Sequence, residues 1–252
     1  MSAGPSGKAG EGPLAGRVAL VTGAGRGLGR AVAVALARAG AQVVALARTQ
    51  GALEETDDLI RAAAGRSATL LALDLREGEG IDLIGPNLAA RFGRLDVLVG
   101  AAAVLGRLGP LTHLPDPEWS ELWAVNVTAN WRLMRTTEPL LRASDAGRAV
   151  FLTDSVGAAP RAYWGPYGAS KAALEHMVRA WAAELAITPV KVNLVDPGPV
   201  ATRLRAAAFP GEDPARLPRP EDVAPAIVPL CLPSETRSGQ IVRLSEAARA
   251  AA

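Results

Sequence analysis

Short aliphatic runs alternate with longer amphipathic stretches along most of the chain. The short runs are RVALVT, AQVVALA, TLLAL, LDVLVG, RAVFLT, VKVNLV and QIVRL. They are apolar almost throughout, as is typical of strands that are buried on both faces of a parallel sheet. The pattern therefore predicts seven strands.

The longer stretches carry Ala, Leu and Arg at helical spacing. They predict helices over residues 27–39, 51–64, 77–92, 117–143, 166–187 and 221–231. Strands that alternate with helices indicate βαβ units, in which helices cover both faces of a parallel sheet. The predicted fold class is therefore α/β.

One long stretch fits neither pattern. Residues 197–220 are rich in Pro, Gly and Arg, and they follow the sixth predicted strand. In an open α/β sheet, ligands bind beyond the carboxyl ends of the strands. A long irregular segment at that position is predicted to be a substrate lid.

The chain length of 252 residues suits one domain, and residues 14–245 contain neither a linker nor an internal repeat. Residues 1–13 are rich in Gly, Pro and Ser and are predicted to be a disordered leader, and residues 246–252 to be a carboxyl-terminal tail. No run approaches the about 18 apolar residues of a membrane span, and the amino terminus lacks the apolar centre of a secretion signal. We therefore expect a cytoplasmic protein without a membrane partner.

Charge and composition exclude several further classes. The formal charge is only +2, and the arginines are spread among nearly as many acids, which argues against a nucleic-acid surface. His113 and His176 are far apart and no Cys/Asp cluster surrounds them, so no metal site is expected. Cys231 is the single cysteine, which excludes an internal disulfide and indicates a small core residue.

A glycine-rich segment, TGAGRGLG, lies between the first predicted strand and the first predicted helix. Gly23, Gly27 and Gly29 allow a tight turn and a close approach of the backbone to a pyrophosphate at the helix amino terminus. Glycines alone also occur in ordinary turns. Their position between strand and helix favours a dinucleotide site.

The end of the second strand bears on the choice of dinucleotide. An enzyme that uses NAD normally offers an acid there to the ribose 2′-hydroxyl, whereas this chain has Arg48, and Arg26 lies in the glycine turn. Two guanidinium groups suit a 2′-phosphate and favour NADP over NAD, although Arg48 could also be a solvated strand end. Asp74, which closes the third strand, could bind the adenine amino group or cap the following loop.

Only one of the two tyrosines has a lysine nearby at helical spacing. Pro166 suits the first turn of a helix, which places Tyr167 and Lys171 one turn apart on the same face. An ammonium group at that distance is expected to lower the pKa of the phenol. Lys171 also stands out because the chain has three lysines beside 24 arginines. Tyr163 lies in a loop and lacks such a partner.

Two polar residues could complete a site around this pair. Ser155 follows the fifth strand, so its hydroxyl could hold a substrate carbonyl oxygen while Tyr167 protonates it. Asn126 interrupts an apolar helical run. It is either an interior amide bonded to a backbone carbonyl or a water-holding link in a proton path to Lys171, and the residues alone leave both interpretations open.

Taken together and in this order, TGAGRGLG, the VNV around Asn126, Ser155, YGASK and DPGPVAT resemble the short-chain dehydrogenase/reductase family. The resemblance covers about residues 14–245. It implies a single-domain, three-layer Rossmann fold with a doubly wound parallel sheet of seven strands.

The resemblance also implies a catalytic tetrad. In it Tyr167 is the general acid/base, Ser155 orients the carbonyl or alcohol, Lys171 binds the nicotinamide ribose and lowers the tyrosine pKa, and Asn126 completes a water relay. Thr202 matches the position that contacts the nicotinamide carboxamide. The residues expected to bind the cofactor are Gly23, Arg26, Gly27, Leu28, Gly29, Arg48, Asp74, Leu75, Ala101, Ala102, Tyr167, Lys171, Pro197, Gly198, Val200 and Thr202.

Three features depart from the family pattern. Residues 100–103 read GAAA where the family has Asn-Asn-Ala-Gly, and loss of the amides is expected to loosen that strand end or the cofactor. The spacing of twelve between Ser155 and Tyr167 is one shorter than usual, so the loop must close more tightly. The carboxyl terminus lacks the usual Gly-Gly, which affects the expected terminal contacts and subunit arrangement.

The function implied is an NADP(H)-dependent oxidoreductase that moves hydride between the nicotinamide and a carbonyl or alcohol carbon. The segment VLGRLGPLTHLP, Tyr163, Trp164 and the region of Phe209 predict an apolar pocket and a small lipophilic substrate. Two alternatives stay open. One is a dinucleotide-binding regulatory or scaffold protein with vestigial catalysis, and the other is a dehydratase or epimerase on the same fold.

The resemblance further implies a homodimer or homotetramer. In the family the two long helices after the fourth and fifth strands pair between subunits. In this chain they carry four tryptophans, namely Trp119, Trp123, Trp131 and Trp181.

Overall fold

The computed structural model describes residues 12–244. Residues 1–11, most of the predicted leader, and residues 245–252, which contain the predicted tail, lie outside the described residues. Within residues 12–244, no helix is both long enough and apolar enough to cross a membrane.

The seven predicted strands form one parallel sheet with the order β3-β2-β1-β4-β5-β6-β7. Six parallel pairings connect them, which confirms the predicted doubly wound sheet. The strands are β1 (Val18–Thr22), β2 (Gln42–Ala47), β3 (Thr69–Ala72), β4 (Val97–Gly100), β5 (Arg148–Leu152), β6 (Lys191–Asp196) and β7 (Ile241–Arg243).

Helices cover both faces of this sheet, which confirms the three-layer Rossmann fold. Successive strand residues point to opposite faces, so Leu20 of β1 packs in one core and Val21 in the other. The helices are α1 (Gly27–Arg38), α2 (Gln50–Ala64), α3 (Gly78–Asp82), α4 (Ile84–Phe92), α5 (Asp116–Trp123), α6 (Ala129–Arg142), α7 (Gly165–Glu184), α8 (Arg203–Ala208) and α9 (Pro220–Val223).

The order of the strands creates a crevice beside β1. This strand pairs with β2 on one side, where Ala19 faces Val43, and with β4 on the other, where Ala19 faces Val97. The chain therefore leaves β1 and β4 in opposite directions, and their carboxyl ends open a gap between the connecting segments. Such a gap is where doubly wound sheets bind ligands.

The predicted single helix over residues 117–143 is interrupted in the structure. Helices α5 and α6 are joined by a π-helical turn, Ala124–Thr128, with Asn126 at its centre. A π turn carries one more residue than an α turn and changes the direction of its side chains. The interruption thus falls at one of the predicted site residues.

Two other predicted helices are also divided. Residues 77–92 form α3 and α4, and residues 221–231 contain only the end of α9 followed by two 3-10 turns. Pro225 and Pro229 explain the second case, because neither has an N–H to donate within a helix. The stretch 197–220, predicted to be irregular, contains α8 and one 3-10 turn.

A buried carboxylate anchors the amino ends of the central strands. Asp96 is fully buried at the start of β4 and accepts hydrogen bonds from the Val18 N–H at 2.8 Å and the Ser144 hydroxyl at 2.6 Å. The guanidinium of Arg17 also donates to it at 3.1 Å. One carboxylate thus ties β1, β4 and the turn before β5 together.

We expect Asp96→Ala to lower the free energy of unfolding by about 3 kcal/mol, because it leaves a buried N–H and a buried hydroxyl without their acceptor. Asp145→Ala is the matched control, since Asp145 pairs with the same Arg17 but its side chain is 71% exposed. Urea denaturation should show a lower midpoint for the first variant and a nearly unchanged midpoint for the second. Equal losses in both variants would contradict the anchoring role of Asp96.

Candidate active site

The glycine turn between β1 and α1 is built so that only glycine fits at two positions. Gly23 has a φ of +67°, and a Cβ atom there would lie 2.9 Å from the Cα of Ala102. A Cβ atom on Gly29 would overlap the Gly23 carbonyl oxygen. Helix α1 begins at Gly27, and the side chain of the capping residue Arg26 makes no hydrogen bond to it. The first N–H groups of α1 thus stay available to an anion in the crevice.

Both arginines that were predicted to select the cofactor are exposed beside this turn. Arg26 caps α1, and Arg48 directly follows β2. The Arg48 charge also reaches Asp74 after β3: hydrogen bonds from Arg76 lower the pKa of that carboxyl most, and Arg48 lowers it further.

Asp74 has partners within its own loop. Its carboxylate accepts the Arg76 N–H at 3.0 Å and the Arg76 guanidinium at 2.6 Å. The loop-capping interpretation is therefore observed directly, while a contact with adenine stays a prediction. Leu75, the next residue, is 9% exposed and packs in the core.

The carboxyl end of β4 is held by a neighbouring strand. The N–H groups of Ala101 and Ala102 donate to the hydroxyl of Thr22 at 3.2 and 3.3 Å. The replacement of Asn-Asn-Ala-Gly was expected to loosen this strand end. In the structure the Thr22 hydroxyl, at the end of β1, accepts both of these hydrogen bonds, and the loosening stays a prediction.

The segment after β6 crosses the mouth of the crevice. The Gly198 N–H donates to the Asp196 carboxylate at 2.9 Å, with a φ of +69° at Gly198. Thr202 approaches the glycine turn so closely that a Cβ atom on Gly27 would lie 3.6 Å from its methyl group. The Thr202 hydroxyl also caps α8 by accepting the Arg205 N–H at 3.2 Å. The remaining predicted cofactor residues are Leu28 and Val200, which are buried, and Pro197, which is half-buried.

Tyr167 and Lys171 lie on α7 against the carboxyl ends of β5 and β6. Both side chains are buried, at 3% and 4% exposure. The Lys171 Nζ donates to the Leu152 carbonyl oxygen at 2.9 Å and lies 5.6 Å from the centre of the Tyr167 ring. The two residues thus share one site, as their four-residue spacing predicts.

The pKa values of this pair shift in opposite directions. Burial raises the pKa of Tyr167, and the charges of Asp154 and Asp196 raise it further. Burial lowers the pKa of Lys171 to about 8. The lowering of the tyrosine pKa that the sequence predicted is not seen in this arrangement, in which burial dominates. Tyr167 is protonated at neutral pH and can act as a proton donor.

The Asn126 side chain bonds both to backbone groups and to a side chain of the protein. Its side chain exchanges two hydrogen bonds of 2.9 Å with the N–H and the carbonyl of Val104 and donates to the Ser170 hydroxyl at 3.0 Å. The backbone carbonyl oxygen of Asn126 accepts a hydrogen bond from the Asn130 side chain at 2.8 Å. Of the two interpretations that the sequence left open, these contacts match the interior amide. The Asn126 side chain holds the segment after β4 against α7. The water relay stays a prediction.

Ser155 is exposed and begins a 3-10 turn, Ser155–Gly157, after β5. The turn is capped by Asp154, whose carboxylate accepts the Val156 N–H at 3.1 Å. A Cβ atom on Gly168 in α7 would lie 3.0 Å from the Val156 carbonyl oxygen. The shortened loop therefore still places the serine turn against the first turn of α7. Asp154 was not among the predicted site residues.

An apolar cluster surrounds the buried tyrosine. Its three buried members are Leu122, Trp164 and Tyr167, and the centres of the last two rings are 6.0 Å apart. Tyr163, in contrast, is 64% exposed with a φ of +70°, and it is the one non-glycine residue in the left-handed region within residues 12–244. The outer members of the cluster are Val104, Leu105, Leu108, Trp123, Val156, Leu204, Ala208 and Phe209.

The tryptophans differ in their surroundings. Trp131 and Trp119 are 45% and 39% exposed on α6 and α5. Trp181 is buried against Phe151, and its Nε1 donates to Glu138 at 2.7 Å, so it belongs to the core. The described residues contain no group of three or more His, Cys, Asp or Glu side chains placed to hold a metal ion.

Several known proteins are similar over most of their length. YciK, an uncharacterized oxidoreductase of Escherichia coli K12, is 38% identical over 211 residues, which are 83% of each chain. A short chain dehydrogenase from Escherichia coli CFT073, solved as a complex with NADPH, has a TM-score of 0.86 at 36% identity and covers 90% of this chain and 95% of that one. An uncharacterized NAD-dependent oxidoreductase, Rv0687 of Mycobacterium tuberculosis H37Rv, is 37% identical over 204 residues, which are 76% of this chain and 74% of the relative.

The family assignment rests on a match to the family as a whole. Residues 17–213 match the family described as short chain dehydrogenase. The match runs from the residue before β1 to the segment after α8 and so includes the glycine turn and α7. The chain belongs to the short-chain dehydrogenase family of oxidoreductases.

Proposed function

We propose that the protein is an NADP(H)-dependent oxidoreductase that transfers hydride between the nicotinamide and a carbonyl or alcohol carbon of a small, apolar substrate. The observation that carries this proposal is the buried Tyr167–Lys171 pair at the carboxyl edge of the sheet. It lies on the same edge as the glycine turn, whose close backbone approach fits a dinucleotide pyrophosphate.

Each part of the chain then has a role. The dinucleotide supplies the hydride when it is bound. The amino terminus of α1 holds the pyrophosphate, and the Lys171 ammonium binds the nicotinamide ribose. In the direction of reduction, the Tyr167 hydroxyl gives its proton to the substrate carbonyl oxygen, which the Ser155 hydroxyl orients. The buried surroundings of Tyr167 keep bulk water from competing for that proton.

The two arginines support NADP as the cofactor. Arg26 and Arg48 are exposed at the crevice, and the position after β2 carries no acid that would bind a free 2′-hydroxyl. The NADPH complex of a relative points the same way. Since another relative is named as NAD-dependent, both cofactors belong in any test.

The cluster around Tyr167 supports an apolar substrate. Trp164 and Phe209 pack with ring centres 5.4 Å apart, and the Arg161 guanidinium lies over both rings at 5.2 and 5.1 Å. Because Tyr167 is only 3% exposed, a substrate must displace part of this cover. The segment with α8 and Phe209 is the proposed lid. We further propose that α6, with its exposed Trp131, and α7 contribute to a homodimer or homotetramer.

We expect Tyr167→Phe to lower kcat for carbonyl reduction at least about a hundredfold, because it removes the proton donor. The affinity for NADPH should change little. The measurement is a panel of ketones and aldehydes with NADPH and with NADH, followed at 340 nm for wild type and variant. Tyr163→Phe is the matched control, since the chain has only these two tyrosines and Tyr163 is 64% exposed.

Unchanged turnover in Tyr167→Phe would overturn the proposed mechanism. Tight NADPH binding without turnover of any carbonyl compound would instead favour a regulatory role for the chain.

We expect Arg48→Ala to weaken NADPH binding about tenfold or more, because it removes one charged hydrogen-bond donor to the 2′-phosphate. NADH binding should be unaffected. Arg38→Ala is the control, since Arg38 is also exposed but lies at the other end of α1. Fluorescence titration of both cofactors gives the affinities, and an equal loss for NADPH and NADH would contradict the assignment.

A further inference from the structure

A third titratable residue continues the face of α7 that carries the tyrosine and the lysine. Glu175 lies one turn beyond Lys171, so Tyr167, Lys171 and Glu175 follow at four-residue spacing. Its side chain is buried, with 8% of the residue exposed. The Thr153 hydroxyl donates to its Oε1 at 2.6 Å. A carboxylate on α7 thus reaches the segment that leads from β5 to Ser155.

The Ser155–Gly157 turn packs closely against α7 beside Glu175. A Cβ atom on Gly157, the last residue of the turn, would lie 2.8 Å from the Glu175 Oε1 and 3.1 Å from the Lys171 Cβ. The turn therefore rests directly on α7 between these two side chains. Thr153 is held on its other side, because its N–H donates to the Val195 carbonyl of β6 at 2.8 Å.

Burying a carboxylate costs more than burying the amide that would fill the same space. Its hydrogen-bond donor here is a neutral hydroxyl, which an amide oxygen could equally accept from. The hydrogen bond alone thus does not explain why this position carries a glutamate instead of a glutamine. The neighbouring Lys171 suggests a second role for the carboxylate, because a negative group near a buried ammonium stabilises its charged form.

Four groups face the buried ammonium of Lys171. Asp154 comes from the serine turn, Asp196 from the end of β6, and Glu175 and Tyr167 from α7 itself. Burial lowers the pKa of Lys171, and all three carboxylates oppose this by favouring the charged form. His176 and Arg179 line the surface depression above Glu175 and are exposed.

We propose that Glu175 is a positioning residue of the active site, which docks the Ser155 turn on α7 and holds a carboxylate one helical turn from the Lys171 ammonium. The docking half rests on the proposed function, because it acts through the carbonyl-orienting role of Ser155. The charge half is measurable from cofactor binding alone.

The test uses Glu175→Gln, Thr153→Val and the control Glu184→Gln, which makes the same substitution at an exposed site on the same helix. Glu175→Gln should move the pH midpoint of NADPH affinity down by about one unit, because it removes a negative charge near the ammonium. Thr153→Val should leave that midpoint unchanged and lower kcat for carbonyl reduction about tenfold. Glu184→Gln should change neither.

A pH midpoint in Glu175→Gln equal to that of the wild type, together with an unchanged kcat, would overturn the proposal even if the variant unfolds more easily. Should Glu175→Gln fail to fold, Glu175→Asp keeps the charge but withdraws it by one methylene, and it should retain the wild-type midpoint with a reduced kcat. If the wild type binds NADPH and reduces no carbonyl compound, the proposed function fails while the midpoint still decides the charge role of Glu175.

Discussion

The burial of the Lys171 ammonium at the carboxyl edge of the sheet is the constraint on which the site depends. Removing an ammonium from water costs several kcal/mol unless nearby dipoles and charges replace the solvent. The Leu152 carbonyl, at 2.9 Å, and the surrounding carboxylates supply that replacement. They leave the pKa at about 8, so the charge survives at neutral pH by a narrow margin. The buried phenol of Tyr167 keeps its proton under the same conditions.

The site reaches this arrangement although its sequence departs from the family at two points. Thr22 bonds the backbone that follows β4, where amide side chains are missing. Between Ser155 and Tyr167, which are one residue closer than is usual in the family, the chain makes a turn from Arg161 to Trp164 that is closed by a 3.1 Å hydrogen bond. Tyr163 takes the left-handed conformation in that turn, which costs about 1 kcal/mol. In this turn the Tyr163 ring is exposed, and the Trp164 ring packs against Tyr167.

The sequence was informative wherever a signal is local. Unbroken apolar runs located the seven strands, and glycine spacing together with the four residues from Tyr167 to Lys171 located the crevice and the pair. Pro225 was also a local signal, and it argued against the helix that we predicted over residues 221–231. Desolvation, in contrast, depends on what packs around a group, so the sequence predicted the wrong direction for the Tyr167 pKa. The π turn at Asn126 and the hydrogen bond between Thr153 and Glu175 also depend on partners that are distant in sequence, so the sequence did not predict them.

The most direct test of this account is the affinity for NADPH between pH 6 and pH 10, measured by fluorescence titration on wild type and on Lys171→Met. The lowered pKa means that the ammonium is present below about pH 8 and lost above it. The account predicts constant affinity up to about pH 7, then a loss of about tenfold through pH 8 as a charged donor to the ribose disappears, and no such loss in the variant. Wild-type affinity that stays constant to pH 10, or the same loss in Lys171→Met, would contradict it.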